Sequence, residues 1–333
     1  MAVKIVLPGA VMTVQDGGRY GYQETGIQVS GAMDQASFKK ANYLVGNDET
    51  EAVLEVTLFG GMLEFTEDTI TAITGADMEP VVDGDPVEMN CPLLIRKGQI
   101  LTLGMTRQGC RTYLAFAGGI DVPLVMGSRS TNLKCAFGGY GGRALKSGDV
   151  LKLGKPKWSF DRVKKRRTKG IETEKIIEVR AVPGPQQEYF TEAGEKAFYS
   201  GTYTITDQSD RMGYRLKGPL VESKNGTDII SDAIPLGAVQ IPPSGQPIVL
   251  LADRQTTGGY AKIATVISVD IPKLVQRKTD HKVKFQAVTV EEAQELLALE
   301  AKEMNEFRHQ IYQPCKEVLD CRLVAKRISK LFQ

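Results

Sequence analysis

The stretch Thr13-Val14-Gln15-Asp16-Gly17-Gly18-Arg19-Tyr20-Gly21-Tyr22 is a β-branched strand end followed by a polar, glycine-rich loop. The same residue types, Asp, Gln and Arg before a Gly-Tyr pair, return in altered form in Thr204-Ile205-Thr206-Asp207-Gln208-Ser209-Asp210-Arg211-Met212-Gly213-Tyr214. A second echo pairs Arg107-Gln108-Gly109 with Arg254-Gln255-Thr256-Thr257-Gly258-Gly259. Such repetition predicts two related lobes, which could place two polar loops around one cleft. The two echoes have different offsets, so we expect unequal insertions or a rearranged order.

The composition is that of an ordinary globular protein. The chain has 333 residues, 42% hydrophobic and 25% charged, which is enough for two domains with sizeable cores. A net charge of +2 gives no argument for nucleic acid or membrane as a partner. No apolar run is long enough to span a bilayer, and the N-terminus is typical of a strand instead of a signal peptide. Five cysteines without metal-binding spacing predict free thiols in the cytoplasm.

The first 155 residues are predicted to be rich in β-strands. Short runs of Val, Ile, Leu, Thr and Phe alternate with Gly- and Asp-containing turns. One helix is expected to interrupt them, with Asp34 as its N-cap and Gly46-Asn47 as its end. A basic stretch at 156–172 is interpreted as a solvated linker, with a partner-docking strip as the alternative.

The second half is predicted to repeat the β-rich character over 173–290, with a helix at 186–199. Thr289 and Glu292 have the spacing of a capping box, which predicts a long charged helix over roughly 290–312. Pro314 should end it, and the tail at 291–333 is expected to dock on the body of the protein. Cys315 and Cys321 are the only close cysteine pair.

Several kinds of site are excluded by what the sequence lacks. Only His281 and His309 are present, neither of them in a glycine-rich loop, and His281 is expected at the surface. A Ser-His-Asp or Cys-His device is therefore not expected, and neither is a zinc site. The glycine-rich run at 138–147 has the wrong spacing for a phosphate loop of the Walker type.

The polar loops remain as candidate sites, each with a structural alternative. Asp16 and Arg19 could bind an anion or act as a base, or they could simply close a tight turn. Asp210 and Arg211, with Asp207, could divide acid and base work or form an ion-pair network. The weaker binding candidates are the loops at 26–34 and 127–131.

The run at 253–262 is the richest candidate. It follows a fully apolar strand and brings together a carboxylate, a guanidinium, an amide, two hydroxyls, two glycines and the amine of Lys262. A buried strand that ends in such a run favours a functional interpretation over a structural one.

Six of these segments together resemble one family, in order along the chain from residue 1 to about 297. They are 13–19, 30–34, 127–131, 142–149, 208–216 and 252–260. The chain is similar to the biotin-dependent carboxyltransferase family, also called KipA-like or allophanate hydrolase subunit 2. This resemblance implies a mainly β fold with some α, built from two cyclophilin-like β-barrel lobes.

The resemblance also implies partners and a reaction. Stand-alone bacterial members act with a KipI-like B subunit, together with an A subunit that is LamB/YcsF-like. The three form a cytoplasmic, ATP- and Mg-dependent 5-oxoprolinase, in which this chain would be the C subunit, inactive alone. A fused relative transfers a carboxyl group from carboxybiotin to urea, and another member binds and antagonises KipI, an inhibitor of a sporulation kinase. No biotin-carrier segment is present in this chain.

For the 5-oxoprolinase hypothesis, residue chemistry suggests the following roles. Acid/base, cation-holding or orienting roles fall to Asp16, Asp210, Arg254 and Gln255. Substrate-binding roles fall to Gln15, Arg19, Gln208, Arg211, Thr256, Thr257, Gly258, Gly259 and Lys262. The arginines are the proposed anion clamps, and the Gly258-Gly259 backbone is the proposed oxyanion donor. No metal ligands are predicted in this chain.

Overall fold

A computed structural model describes residues 1–172 and 174–312 of the chain. The fold is mainly β with a few helices, as predicted. The N-terminal lobe contains eleven strands in two sheets. They are β1 (Ala2–Leu7), β2 (Val11–Gln15), β3 (Val53–Thr57), β4 (Met62–Phe65), β5 (Thr69–Asp77), β6 (Val81–Val82), β7 (Asp85–Pro86), β8 (Pro92–Ile95), β9 (Ile100–Thr102), β10 (Gln108–Phe116) and β11 (Val150–Lys152).

The two sheets of this lobe are organised around its longest strands. The five-stranded sheet has the order β2-β3-β10-β5-β8, and the six-stranded sheet has the order β11-β1-β4-β9-β6-β7. Strands β5 and β10 are nine residues each and pair antiparallel, with Leu114 opposite Ile73. Both are almost wholly buried, because one face packs on the other sheet and the other on a helix.

The C-terminal lobe closes into a seven-stranded barrel with the order β12-β19-β16-β17-β14-β13-β20. A parallel pairing of β12 with β20, from Ile176↔Lys282 to Ala181↔Ala287, closes the ring. A two-stranded sheet of β15 and β18 lies beside it. The strands are β12 (Ile176–Pro183), β13 (Tyr203–Ile205), β14 (Gly213–Lys217), β15 (Asp228–Ala233), β16 (Ala238–Gln240), β17 (Ile248–Leu250), β18 (Thr257–Tyr260), β19 (Lys262–Val266) and β20 (Lys282–Ala287).

Five α-helices complete the described chain. They are α1 (Gln35–Val45), α2 (Phe160–Val163), α3 (Glu192–Ser200), α4 (Ile271–Val275) and α5 (Val290–Tyr312). The predicted boundaries of α1 are confirmed. The Asp34 side chain accepts a hydrogen bond from the Ser37 N–H at 2.9 Å, and Gly46 ends the helix at φ 85°. The helix predicted at 186–199 is divided, since a 3₁₀ turn at Gln187–Tyr189 precedes α3.

The capping box that begins α5 is also confirmed. The Thr289 hydroxyl accepts from the Glu292 N–H at 3.1 Å, and the Glu292 carboxylate accepts from the Thr289 N–H at 2.8 Å. The helix continues to Tyr312. The expected break at Pro314, the Cys315–Cys321 pair and the rest of the tail lie outside the described residues.

Two surface predictions are wrong in detail. Arg166, in the stretch interpreted as a solvated linker, is buried and donates to the Tyr43 carbonyl at 2.6 Å. Its guanidinium also stacks on the Tyr312 ring, which is why it leaves solvent. His281 is half-buried, and burial together with nearby cations lowers its pKa. The thiols of Cys91, Cys110 and Cys135 are free, as expected.

Candidate functional site

Arg211 joins the two lobes at their interface. Its Nε donates to the Asp253 carboxylate of the C-terminal lobe at 2.8 Å. Its other nitrogens reach the N-terminal lobe, where they bond the Glu55 carboxylate and, at 2.6 Å, the Gly31 carbonyl. Burial alone would lower the pKa of Arg211, but Asp253 and Glu55 together hold that pKa above its ordinary value. Arg211 therefore acts as an interlobe clamp in this structure.

The same Glu55 carboxylate also positions the start of α1. It accepts hydrogen bonds from the Met33 N–H at 2.8 Å and from the Tyr113 hydroxyl at 2.9 Å. The Tyr113 oxygen in turn accepts from the Asp34 N–H at 2.8 Å. One buried carboxylate thus fixes both the lobe interface and the entry into the helix.

A second cross-lobe contact is built on Arg111 and Gln276. Arg111 donates to the Tyr214 hydroxyl at 2.6 Å and to the Val275 carbonyl at 2.5 Å. The Gln276 side chain accepts from the Arg111 backbone N–H at 2.9 Å and donates to the Asp34 carboxylate at 2.8 Å. These bonds satisfy polar groups that the lobe interface would otherwise bury without partners.

Beside these contacts lies a cavity of about 380 Å³, which we call the interlobe cleft. Its walls come from both lobes and from α5. The polar and aromatic side chains that line it are Tyr20, Ser30, Gln35, Lys39, Arg254, Ser268 and Glu300. The remainder of the lining is largely apolar, which is the usual composition of a small-molecule pocket.

Arg254 is the predicted residue with the clearest means of binding a ligand. Only 7% of it is exposed, and its Nε and one terminal nitrogen donate to the Ile234 and Leu251 carbonyls at 3.0 and 3.2 Å. Burial lowers its pKa, partly opposed by Tyr20. Within residues 1–172 and 174–312, no carboxylate lies within ion-pair distance of it, so its charge is available to an anion.

The polar loop that follows β2 has a different role. The Asp16 carboxylate accepts four hydrogen bonds, from the Gly18 and Arg129 N–H groups and from the Ser128 and Ser130 hydroxyls. The wholly buried Arg19 donates to the Val125 carbonyl at 2.8 Å and to the Ser130 carbonyl at 3.0 Å, and burial lowers its pKa.

Gln15 is buried in the same way and donates to Thr13 and Thr131. These three side chains tie their loop to residues 125–131, the other polar loop of this lobe. Only Tyr20, at the end of the first loop, reaches the interlobe cleft.

A second cavity, of about 290 Å³, lies on the flank of the barrel and is here called the flank pocket. It brings together the predicted residues Gln208, Asp210 and Gln255, along with Arg215, Gln240 and Tyr260. Asp210 is exposed and accepts from the Met212 and Gly213 N–H groups at 2.8 and 3.2 Å, which is the hydrogen bonding of a turn. The two repeated loops therefore contribute side chains to different cavities.

The remaining predicted residues belong to β18 and its neighbours. Thr256 precedes β18, and within the strand Thr257 pairs with Ala233 and Gly258 with Asp232 of β15. A Cβ on Gly258 would lie 2.6 Å from Ile234 Cδ1, so a larger residue here would have to displace the end of that side chain. Lys262 is buried and pairs with the Asp232 carboxylate at 3.0 Å. Gly259 is half-exposed in the same strand.

A more open cavity of about 520 Å³ lies on the N-terminal lobe near Gly75, Glu79 and Gln108, and none of the predicted site residues lines it. Across the part of the chain that the structure describes, no three His, Cys, Asp or Glu side chains come together as a metal site would require. No described helix has both the length and the apolar character needed to cross a membrane.

Comparison with known proteins agrees with this architecture. Residues 25–287 match the family described as "Carboxyltransferase domain, subdomain A and B". The chain belongs to this carboxyltransferase-domain family. The resemblance inferred from the six sequence segments is therefore confirmed.

Relatives in this family carry two kinds of name. The chain is 43% identical to the C subunit of Escherichia coli 5-oxoprolinase over 87% of its own length and 93% of that protein. It is 39% identical to the C subunit of Haemophilus influenzae 5-oxoprolinase over 85% of its length and 90% of that protein. The crystal structure of Kluyveromyces lactis urea carboxylase matches with a TM-score of 0.83 and 30% identity over 92% of the chain. The chain spans only 29% of that larger enzyme.

The sequence reasoning missed the side chains that hold this carboxyltransferase-domain chain together. Glu55, Arg111 and Gln276 lie in a strand, a strand and a helix end, not in glycine-rich loops. A signal was present for two of them, because Glu55 and Arg111 are charges within otherwise apolar strands. A charge in a buried strand has to be paired, which predicts a partner from elsewhere in the fold.

Proposed function

We propose that this chain is the C subunit of an ATP-dependent 5-oxoprolinase, which converts 5-oxoproline to glutamate. The observation that carries the proposal is the 43% identity to the E. coli protein of that name, over 93% of that protein. Agreement across nearly the whole of both chains favours a shared role over the mere sharing of a domain.

In this proposal the interlobe cleft binds the substrate. 5-Oxoproline carries one carboxylate, and Arg254 is a buried cation on the wall of the cleft without an acidic partner among the described residues. Arg211 already pairs with the Glu55 and Asp253 carboxylates, and neither Arg211 nor the wholly buried Arg19 lines the cleft. We therefore assign the substrate carboxylate to Arg254.

The reaction itself requires activation of a stable amide. Opening the lactam breaks its ring C–N bond and adds water, and the amide oxygen is a poor acceptor of the developing charge. Phosphoryl transfer from ATP to that oxygen, with release of ADP, would activate the carbonyl carbon. One water would then add as the ring C–N bond breaks to leave an acyl phosphate, and a second water would release phosphate and glutamate. The part of this chain would be to hold the substrate in one orientation and to exclude water from the cleft.

The partners and cofactors follow from the same proposal. The B subunit would be KipI-like, the A subunit would be LamB/YcsF-like, and the complex would act in the cytoplasm. ATP and Mg²⁺ would be bound in the assembled complex, and we do not assign them to the interlobe cleft. The described residues of that cleft offer Arg254 and Lys39 as cations but no cluster of carboxylates for the metal.

The decisive measurement is ATP-dependent release of glutamate from 5-oxoproline by the co-expressed three-subunit complex. We expect activity that disappears when any one subunit, including this chain, is omitted. A stable, fully assembled complex without activity would overturn the proposal. Tight binding of the KipI-like subunit with no turnover would instead support a regulatory, antagonist role.

A variant pair would then locate the substrate. Arg254→Ala should reduce kcat/KM by about a hundredfold, because it removes a charge-assisted contact of the substrate carboxylate. The matched control is Arg215→Ala, which removes an exposed arginine from the flank pocket and should leave turnover near the wild-type value. The reverse pattern, with complex assembly intact in both variants, would move the substrate to the flank pocket.

A second candidate function is supported by the urea carboxylase match. In this alternative, the chain would transfer a carboxyl group from carboxybiotin, held on a separate carrier, to urea or a related amide. Arg254 would suit that carboxyl group as well as the carboxylate of 5-oxoproline. Carboxylation of urea by this chain with a biotin carboxylase and its carrier, in the absence of 5-oxoprolinase activity, would favour this alternative.

A further inference from the structure

Helix α5 has one half-buried face, and that face contains a single charged residue. The side chains that turn towards the protein recur at helical spacing, whereas most of the others on the helix are exposed. The members of the inward face are Ala293, Leu296, Glu300, Met304, Phe307 and Ile311. A carboxylate within an apolar contact stripe loses hydration without any gain in packing, so its presence calls for a polar partner.

The helix connects the two lobes across the interlobe cleft. It begins at Val290, after the family match ends at residue 287, and its first half packs near Ser268–Asp270 of the C-terminal lobe. Its last turns pack on α1 of the N-terminal lobe, where the Tyr312 hydroxyl donates to the Asn47 carbonyl at 2.7 Å. Between these two anchors, Leu297 and Glu300 line the cleft.

Among the described residues, Glu300 has no hydrogen-bond or ion-pair partner that accounts for its position. Lys39 of α1 lines the same cleft, yet no ion pair joins it to Glu300 in the described residues. Burial raises the pKa of Glu300, and the nearby cations Lys39 and Lys40 lower it only in part. The cleft therefore combines a hydrogen-bond acceptor from α5 with the buried guanidinium of Arg254.

We propose that Glu300 is a specificity-determining residue that accepts the lactam N–H of the substrate while Arg254 binds the substrate carboxylate. This inference rests on the proposed function, since the lactam N–H and the carboxylate are neighbouring groups of 5-oxoproline. The acceptor selects for a ring N–H, because a ring oxygen in its place would present a lone pair to the carboxylate. A site discriminates more strongly against an analogue that leaves a polar group unmatched than against one that only loses an apolar contact.

Two probes of the same shape test the idea. They are 5-oxoproline and its lactone analogue, 5-oxotetrahydrofuran-2-carboxylate, in which a ring oxygen replaces the N–H. Equilibrium binding to the assembled complex is measured by calorimetry without ATP. We expect the wild type to bind 5-oxoproline about tenfold or more tightly than the lactone, as a charge-assisted hydrogen bond would produce.

Variants then assign that preference to one side chain. Glu300→Leu should bring the ratio close to one, and Glu300→Gln, which keeps a neutral acceptor, should give an intermediate ratio. Glu303→Leu is the matched control, because Glu303 is exposed on the same helix, and it should keep the wild-type ratio. Circular dichroism of all three variants confirms that the helix is retained.

The outcomes separate this inference from the proposed function. An unchanged ratio in Glu300→Leu, or a wild type that does not discriminate or does not bind, overturns the role of Glu300. Glutamate release by the same wild-type complex tests the function independently. If turnover is normal and Glu300→Leu leaves the ratio unchanged, the 5-oxoprolinase proposal stands and only the specificity role of Glu300 is overturned.

Discussion

At the residue level, several of the predicted site side chains are occupied by hydrogen bonds within the protein itself. Asp16 is the clearest example, because Ser130 Oγ lies 2.5 Å and Ser128 Oγ 2.7 Å from its Oδ1, and the Arg129 N–H lies 2.5 Å from its Oδ2. A carboxylate with these donors holds the loop at 125–131 against the loop that follows β2. Its acceptor sites are already occupied, which favours the anchoring role over the acid/base role.

Asp16→Asn should therefore destabilise the folded chain. The amide keeps the shape but places an NH₂ group against a donor, which leaves a buried N–H or hydroxyl unsatisfied at a cost of about 2 kcal/mol. The measurement is urea unfolding, and the control is Asp121→Asn at an exposed position. If Asp16→Asn kept wild-type stability but the complex lost turnover, the acid/base role of Asp16 would be favoured instead.

At the scale of elements, Asp270 links β12 to the segment before α4. Its carboxylate accepts from the Arg180 backbone N–H and Nε, both at 2.8 Å, and from Lys273 Nζ at 2.8 Å. Burial would raise the pKa of Asp270, but these donors lower it by more, so the net shift is downward. The ionised carboxylate is thus the form that stabilises the fold.

The sign of the pH dependence follows from that shift. Because the folded pKa lies below the unfolded value of about 3.9, the stabilisation is complete above that value and is lost as the pH falls through the folded pKa. Asp270→Asn should lower stability at neutral pH and flatten its decline below about pH 4. Urea midpoints measured from pH 7 to pH 3 test this, with the exposed Asp207→Asn as control. Parallel acid slopes for wild type and Asp270→Asn would contradict it.

Elements with local signals were predictable, and those that depend on distant partners were not. The capping residues of α1 and α5 lie within a few residues of the helix ends in the sequence, so both helices were predicted with their boundaries. The parallel pairing of β12 with β20 that closes the barrel joins segments about a hundred residues apart, and no local pattern specifies it.

The same distinction applies to the candidate site. Arg254 was predicted because a polar run follows an apolar strand, but the composition that suggested Arg19 could not reveal that its Nε and one terminal nitrogen donate to backbone carbonyls. Glu300 was not among the predicted residues, because its position beside the cleft depends on how α5 packs across the two lobes.

At the scale of the whole molecule, the orientation of the lobes depends on the clamp formed by Arg211. Replacing it by Met would leave the Glu55 and Asp253 carboxylates buried without their shared cation. Removing one member of such a buried network costs about 3–5 kcal/mol, so Arg211→Met should lower the free energy of unfolding by that amount. The matched control is Arg215→Met, an exposed arginine four residues along, which should change stability by less than about 0.5 kcal/mol.

The clamp should also affect the cleft, because each of its contacts adjoins a residue that lines the cavity. Asp253 directly precedes Arg254, and Gly31 directly follows Ser30; Arg254 and Ser30 line the cleft. Under conditions where Arg211→Met is still folded, we expect a raised KM for 5-oxoproline with a smaller change in kcat, since the variant loosens the site without removing a group that contacts the substrate. The double variant Arg211→Met with Asp253→Asn should recover part of the lost stability, because among the described residues Arg211 is the cation that pairs with the Asp253 carboxylate. A single variant as stable as the wild type would show that the other cross-lobe contacts, including those of Arg111 and Gln276, hold the lobes without this clamp.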